Sequence, residues 1–113
     1  MSVEKLFDDL FNKYGDEFNW MTVPLSNNSY NKQAEKEIKY GHSLYGRKLI
    51  AVAKCESNDD VLYFTENNGE ALYIILHLTY SENQDTSYPK YISFNNLCEA
   101  KKYLETQYIE EYL

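Results

Sequence analysis

Proline and glycine are scarce in this 113-residue chain, at two and four residues, and there are only two cysteines and two histidines. So little Pro and Gly excludes collagen-like and low-complexity chains. Cys55 and Cys98 lie far apart with no C-x-x-C, which excludes a disulfide scaffold and a thioredoxin-type redox motif. No pair among His42, Cys55, His77 and Cys98 has ligand spacing for zinc, so no metal or cofactor is expected. The longest apolar run, Ala71 to Leu78, contains His77 and is far too short to span a bilayer. The opening residues Met-Ser-Val-Glu-Lys offer neither the basic nor the apolar region of a secretory signal. The expectation is a cytoplasmic protein with reduced thiols and no membrane partner.

A further absence concerns charge. From Glu56 to Tyr88 there is no Lys or Arg, while Glu56, Asp59, Asp60, Glu66, Glu70, Glu82 and Asp85 are acidic. The preceding stretch, Met21 to Cys55, has the opposite sign. The net charge of −7 and pI near 4.7 argue against nucleic-acid binding, which needs a clustered basic face. Charge segregated along a chain bears on partner choice rather than on fold.

What is present points to one folded domain. An apolar fraction of 43% and an aromatic fraction of 16% exclude disorder, and the length suits one core. Twelve tyrosines supply most of the rings, and Tyr suits core margins and interfaces alike.

Periodicity predicts the elements. Val3, Leu6, Phe7, Leu10, Phe11, Tyr14 and Phe18 form a helical stripe, with Ser2 as N-cap and Gly15 at the end. Trp20 to Leu25 reads as extended because Pro24 disfavours the α region at Val23. The cluster Ser26 to Ser29 caps a second helix, Tyr30 to Tyr40, with a thin apolar stripe suited to the surface. Strands are predicted at Leu49–Lys54, Asp60–Glu66, Glu70–Tyr80 and Tyr91–Phe94. A last helix starts at Asn95 or Asn96, where Asn96-x-x-Glu99 resembles a capping box, and it buries Leu97, Ala100, Leu104 and Tyr108. The fold class expected is α+β: a small antiparallel sheet of three to four strands, with the N-terminal and C-terminal helices packed on one face.

Asn68-Gly69 supplies the positive φ angles of a tight hairpin turn. Asn67 then faces Glu70, Tyr63 faces Ile74, Phe64 faces Tyr73, Leu62 faces Ile75 and Asp60 faces His77. Both hairpin faces are apolar at the centre. Either helices cover both, or one face is left for a partner.

Candidate chemistry is thin. His77 with Asp60 is the best acid–base pair, but no nucleophile or oxyanion loop accompanies it. Gly41 and Gly46 around His42 do not make a phosphate-binding pattern. Asn58-Asp59-Asp60 lacks EF-hand spacing and reads as turn chemistry.

The segment Gly41-His42-Ser43-Leu44-Tyr45-Gly46-Arg47-Lys48-Leu49, with Ala51-Val52-Ala53-Lys54-Cys55 and Asn58-Asp59-Asp60-Val61-Leu62, looks like small single-domain bacterial proteins. His77-Leu78-Thr79-Tyr80 and Tyr88-Pro89-Lys90-Tyr91 fit the same likeness. In size, charge and tyrosine content the chain resembles immunity proteins of bacterial polymorphic toxin systems. That resemblance implies a non-catalytic protein that neutralises a toxin by binding it, with no catalytic residues. A basic toxin domain is the expected partner, with Asp59, Asp60, Glu66 and Glu70 steering and Tyr63, Tyr73 and His77 in contact. The alternatives are a small enzyme or ligand-binding domain using a His77/Asp60 pocket, and a homodimer joined through the second apolar sheet face.

Overall fold

The computed structural model describes residues 1–82 and 85–113. The elements run α1 (Val3–Tyr14), β1 (Trp20–Thr22), α2 (Ser29–Glu37), β2 (Ile50–Cys55), β3 (Asp60–Asn67), β4 (Glu70–His77), β5 (Tyr91–Phe94) and α3 (Leu97–Tyr112). The class is α+β. All strand pairs are antiparallel, and the five strands lie in the order β1-β2-β3-β4-β5. The sheet therefore has one strand more than expected. Trp20–Thr22, read only as extended, pairs with β2 as an edge strand.

The terminal helices form where their caps predict. Ser2 accepts a hydrogen bond from the Lys5 amide, and Gly15 takes a positive φ of 81° after the last turn. Asn96 accepts from the Glu99 amide, while the Glu99 carboxylate accepts from the Asn95 amide. Leu97, Ala100, Leu104 and Tyr108 are the buried residues of α3, as their spacing predicts. They meet Leu6, Phe7, Leu10 and Phe18 over one sheet face, where Trp20, Ala53, Leu62, Ile75 and Phe94 point. Rings of Tyr14, Phe18 and Tyr108 stack along the α1–α3 seam with centroids 4.8–6.0 Å apart. Glu105 closes the seam, accepting from Lys13 and Tyr14 at 2.7 Å each.

The terminal helices share one face as expected, and the other face is covered as well, by the second helix, the first of the two alternatives left open for the apolar hairpin. α2 and residues 38–49 form the crossover from β1 to β2. They lay Ala34, Ile38, Leu44 and Leu49 on Ala51, Val61, Tyr63, Ile74 and Leu76. The second apolar sheet face, on which the homodimer alternative relied, is thus covered by the chain itself.

The strand β2 serves both cores because its register slips between Ala51 and Ala53. Ala51 pairs with Tyr63 and joins the α2 core, whereas Ala53 pairs with Leu62 and joins the α1–α3 core. Two residues apart on a regular strand share a face, so the extra residue Val52 is a bulge that changes phase. The disturbed backbone is satisfied locally. The Val52 carbonyl accepts from the Val23 amide at 2.9 Å, and Asn31 of α2 accepts from the Ala51 amide at 2.7 Å.

The second helix ends at Glu37, three residues before the predicted Tyr40, because Glu37 takes a different task. Its carboxylate is buried and accepts from Gln33 Nε2 (2.7 Å), the Thr79 amide and hydroxyl (2.7 Å each) and the Tyr80 amide (3.1 Å). The same contact explains why β4 stops at His77 rather than Tyr80. The Thr79 and Tyr80 amides bond to Glu37, and Tyr80 turns to a positive φ of 53°. Nearby, His42 is buried; its Nδ1 accepts from the Leu44 amide at 3.0 Å, so Nε2–H donates to the Pro89 carbonyl at 2.9 Å.

Burial opposes ionisation of Glu37, but the donors from Gln33, Thr79 and Tyr80 outweigh it and hold its pKa below the ordinary 4.5. Replacing it leaves several buried donors unpaired, so Glu37→Ala is expected to lower the unfolding free energy by about 3 kcal/mol in urea titration at pH 7. A carboxyl with a depressed folded pKa contributes its full stabilisation above the unfolded pKa and loses it as pH falls through the folded one. The stability gap between wild type and Glu37→Gln should therefore narrow as pH drops below 4.5.

Candidate functional site

The β3–β4 hairpin pairs as the turn chemistry predicts. Asp60 faces His77, Leu62 faces Ile75, Phe64 faces Tyr73 and Asn67 faces Glu70 without interruption. The bulge of the sheet lies in β2 and leaves this pair in step. Asn68 and Gly69 take φ angles of 55° and 84°, the left-handed values a two-residue hairpin turn requires.

This register divides the expected contact residues. Tyr63 lies on the α2 face with none of its surface exposed, and its hydroxyl donates to the Tyr30 carbonyl at 2.7 Å. Burial pushes its phenol pKa far upward. It is a core residue, and its expected role in partner contact is withdrawn. Tyr73 lies on the opposite face, half-buried, with its ring centroid 5.7 Å from that of half-buried Phe64. Ile50 pairs with Phe64 and Phe94 pairs with Tyr73, so a row of apolar side chains crosses four strands at the turn end.

The acidic residues do not form one cluster. Asp60 opens β3 and Glu66 stands six residues further along it, a separation of about 20 Å in an extended strand. Each pole lies more than a Debye length from the other at physiological salt, about 8 Å. The Asp59–Asp60 pole includes His77, whose Nδ1 is 2.5 Å from Asp60 Oδ1. The Glu66–Glu70 pole brackets the turn, with both residues exposed. Two cations of the basic stretch reach the hairpin region through backbone carbonyls. The Arg47 guanidinium donates to the Glu66 carbonyl at 3.2 Å, and the Lys54 ammonium donates to the carbonyls of Cys55 and Asn58. Cations from the basic stretch thus stand at both ends of the acidic hairpin.

The His77–Asp60 contact is real but open. The side chains are 59% and 22% exposed, and the hollow beside Asp60 holds about 30 Å³, room for a water or two. The Asp60 amide donates to Asn58 Oδ1 at 2.8 Å and the Leu78 amide donates to the Asp59 carbonyl, the turn chemistry expected of Asn58-Asp59-Asp60. Among the described residues, no group of three or more His, Cys, Asp or Glu is placed to hold a metal ion. Cys55 is buried, Cys98 is exposed, and neither is in a disulfide. No helix among the described residues is long and apolar enough to cross a membrane.

Two features leave little trace in the sequence. One is the Glu37 latch, which a lone acidic residue in a polar helix does not announce. The other is the hollow of about 430 Å³ between α2 and residues 44–49, whose basic rim lay within the positive stretch already noted.

Fold and site together define a small α+β domain with a both-faced antiparallel meander and an acidic, aromatic hairpin. No protein-family model matches the chain, and no curated protein or solved structure matches it significantly.

Tyr63 and Tyr73 should separate cleanly in experiment. Tyr63→Phe removes a donor from the Tyr30 carbonyl and is expected to cost about 1 kcal/mol in urea unfolding. Tyr73→Phe, which keeps the ring against Phe64, should leave stability within about 0.5 kcal/mol.

Proposed function

We propose that this chain is a non-catalytic protein-binding module of the immunity type, which neutralises a bacterial toxin by direct contact. The observation that carries the reading is the half-buried Phe64–Tyr73 pair at the turn end, with exposed Glu66 and Glu70 beside it. Half-buried rings on a paired, rigid hairpin lose little entropy on docking, and rim carboxylates accelerate encounter with a basic cleft. The small size, acidic charge and tyrosine content agree with the immunity-protein resemblance. A cytoplasmic location belongs to the same proposal.

The separation of the poles refines the partner surface. Asp59, Asp60 and His77 stand about 20 Å from Glu66 and Glu70. A basic partner cleft of ordinary width engages the turn pole with Tyr73, and Asp59 and Asp60 contribute to the field at longer range.

The enzyme alternative rests on one specific observation, the 2.5 Å contact between His77 and Asp60. A hollow of about 30 Å³ does not admit a substrate beside it, so the pair is read as a clamp at the strand ends.

The test begins with capture of the partner from the source cells on immobilised protein, followed by stopped-flow association with that partner. Glu66→Lys with Glu70→Lys should slow association at least tenfold at low salt and flatten its salt dependence. Reversal at Asp59 and Asp60 should have a smaller effect. Unchanged rates for the turn-pole variant overturn the docking surface, and a captured partner that is enzymatically processed by the chain overturns the non-catalytic reading.

A further inference from the structure

The end of the molecule made by α2 and residues 38–49 carries a second site, of opposite sign to the hairpin. A hollow of about 430 Å³ opens there, within the range of pockets that take small ligands or anchoring side chains. Its floor is apolar. Ala34, Ile38, Leu44 and Leu49 line it, and each is more than nine-tenths buried.

The wall is aromatic. Tyr45 lines the hollow and meets Tyr40 edge-to-face at a centroid distance of 5.6 Å, and the two are 56% and 84% exposed. Ring pairs this open on a monomer surface are unusual, and Tyr is among the residues most enriched at interfaces. Gly46 completes the lip with a φ of 83° and open space where a side chain would project.

The rim carries two cations and one anion. Exposed Lys48 and half-buried Arg47 line it with exposed Glu35, while Glu37 is turned inward onto Thr79 and Tyr80; Lys32, Lys36 and Lys39 are exposed elsewhere on the same segment and add to its positive field. A cationic end on a protein of net charge −7 sets a local field that favours an acidic partner. The apolar floor adds a second requirement, which a bare polyanion does not meet: a hydrophobic group to fill it.

We infer that this hollow binds an acidic peptide segment of a partner protein, with one hydrophobic side chain seated on Ile38, Leu44 and Leu49 and flanking carboxylates on Lys48 and Arg47. The inference does not rest on the hairpin reading, although the two surfaces adjoin, with Gly46, Arg47 and Lys48 bordering a second hollow beside Phe64 and Glu66. Peptides with an apolar anchor and charged flanks draw affinity from the anchor and orientation from the charges.

The test uses the full chain, ¹⁵N-labelled, against nine-residue peptides with Asp and Glu flanking a central Leu, Phe or Trp. Controls carry Ser at the centre or Lys at the flanks; a 12-mer single-stranded DNA and anionic phosphatidylglycerol vesicles complete the set. Expected are amide shifts confined to residues 34–49 with at least one hydrophobic-centred acidic peptide. Affinity should fall at least tenfold with the Ser-centred control, with Lys48→Glu and with Tyr45→Ala, both at exposed positions that a fold check by circular dichroism covers. The inference is overturned by no shifts at 1 mM of any acidic peptide, by equal binding of the Ser-centred control, or by shifts that map to the hairpin. Tighter binding of DNA or vesicles than of every acidic peptide overturns it too. None of these outcomes touches the charge-reversal test at Glu66 and Glu70.

Discussion

A sheet that is apolar on both faces must be covered on both, and the rest of this structure follows from that constraint. The β3–β4 hairpin puts Leu62 and Ile75 on one side and Val61, Tyr63, Ile74 and Leu76 on the other, all of them buried. Both terminal helices lie on the first of these faces. The connection from β1 to β2 therefore crosses the second face as α2 and residues 38–49. Two polar anchors hold that crossover in place: the Glu37 carboxylate on the end of β4, and the His42 ring between Leu44 and Pro89. Buried polar groups with full complements of partners fix one arrangement of an apolar interface that would otherwise tolerate sliding.

The same constraint decides what is left for binding. With both central faces covered, the exposed apolar side chains stand at the margins, among them Met21 and Ile92 on the edge strands, Ile109 and Tyr112 on α3, and Tyr40 and Tyr45 on the crossover. At one end, Phe64 and Tyr73 are only half-covered beside a pair of exposed carboxylates. On the crossover, the space above Ile38 and Leu49 is not filled, and Arg47 and Lys48 stand at its edge with Glu35. Charge segregated in the sequence thus becomes two surfaces of opposite sign. They are not insulated, because Arg47 lies at the edge of the basic hollow and donates to the Glu66 carbonyl on the acidic hairpin.

Local signals made much of this legible from sequence. Ser2, Gly15, Asn96 and Asn68-Gly69 act through backbone geometry within a few residues, so their helices, caps and hairpin register are found where they are expected. The elements that were missed depend on distant partners. Trp20–Thr22 is too short to show alternation, and only pairing with β2 makes it a strand. The early ends of α2 and β4 both come from Glu37 reaching Thr79 and Tyr80 across 42 and 43 residues. At the site, pair contacts on the hairpin followed from the register, including Asp60 with His77. Side-chain availability did not, because which face α2 covers is a tertiary fact; Tyr63 was misjudged for that reason, and the basic hollow was overlooked.

The bulge at Val52 has a consequence for how the molecule tolerates damage. Upstream of it, Ala51 belongs to the α2 core; downstream, Ala53 and Cys55 belong to the α1–α3 core. The sheet acts as a partition between two separately packed compartments that share only backbone. Volume changes in one compartment press on side chains that the other never touches, so their costs should add rather than compound. Natural variation can therefore remodel the α2 compartment, and with it the basic hollow, while the compartment beneath the terminal helices keeps its packing.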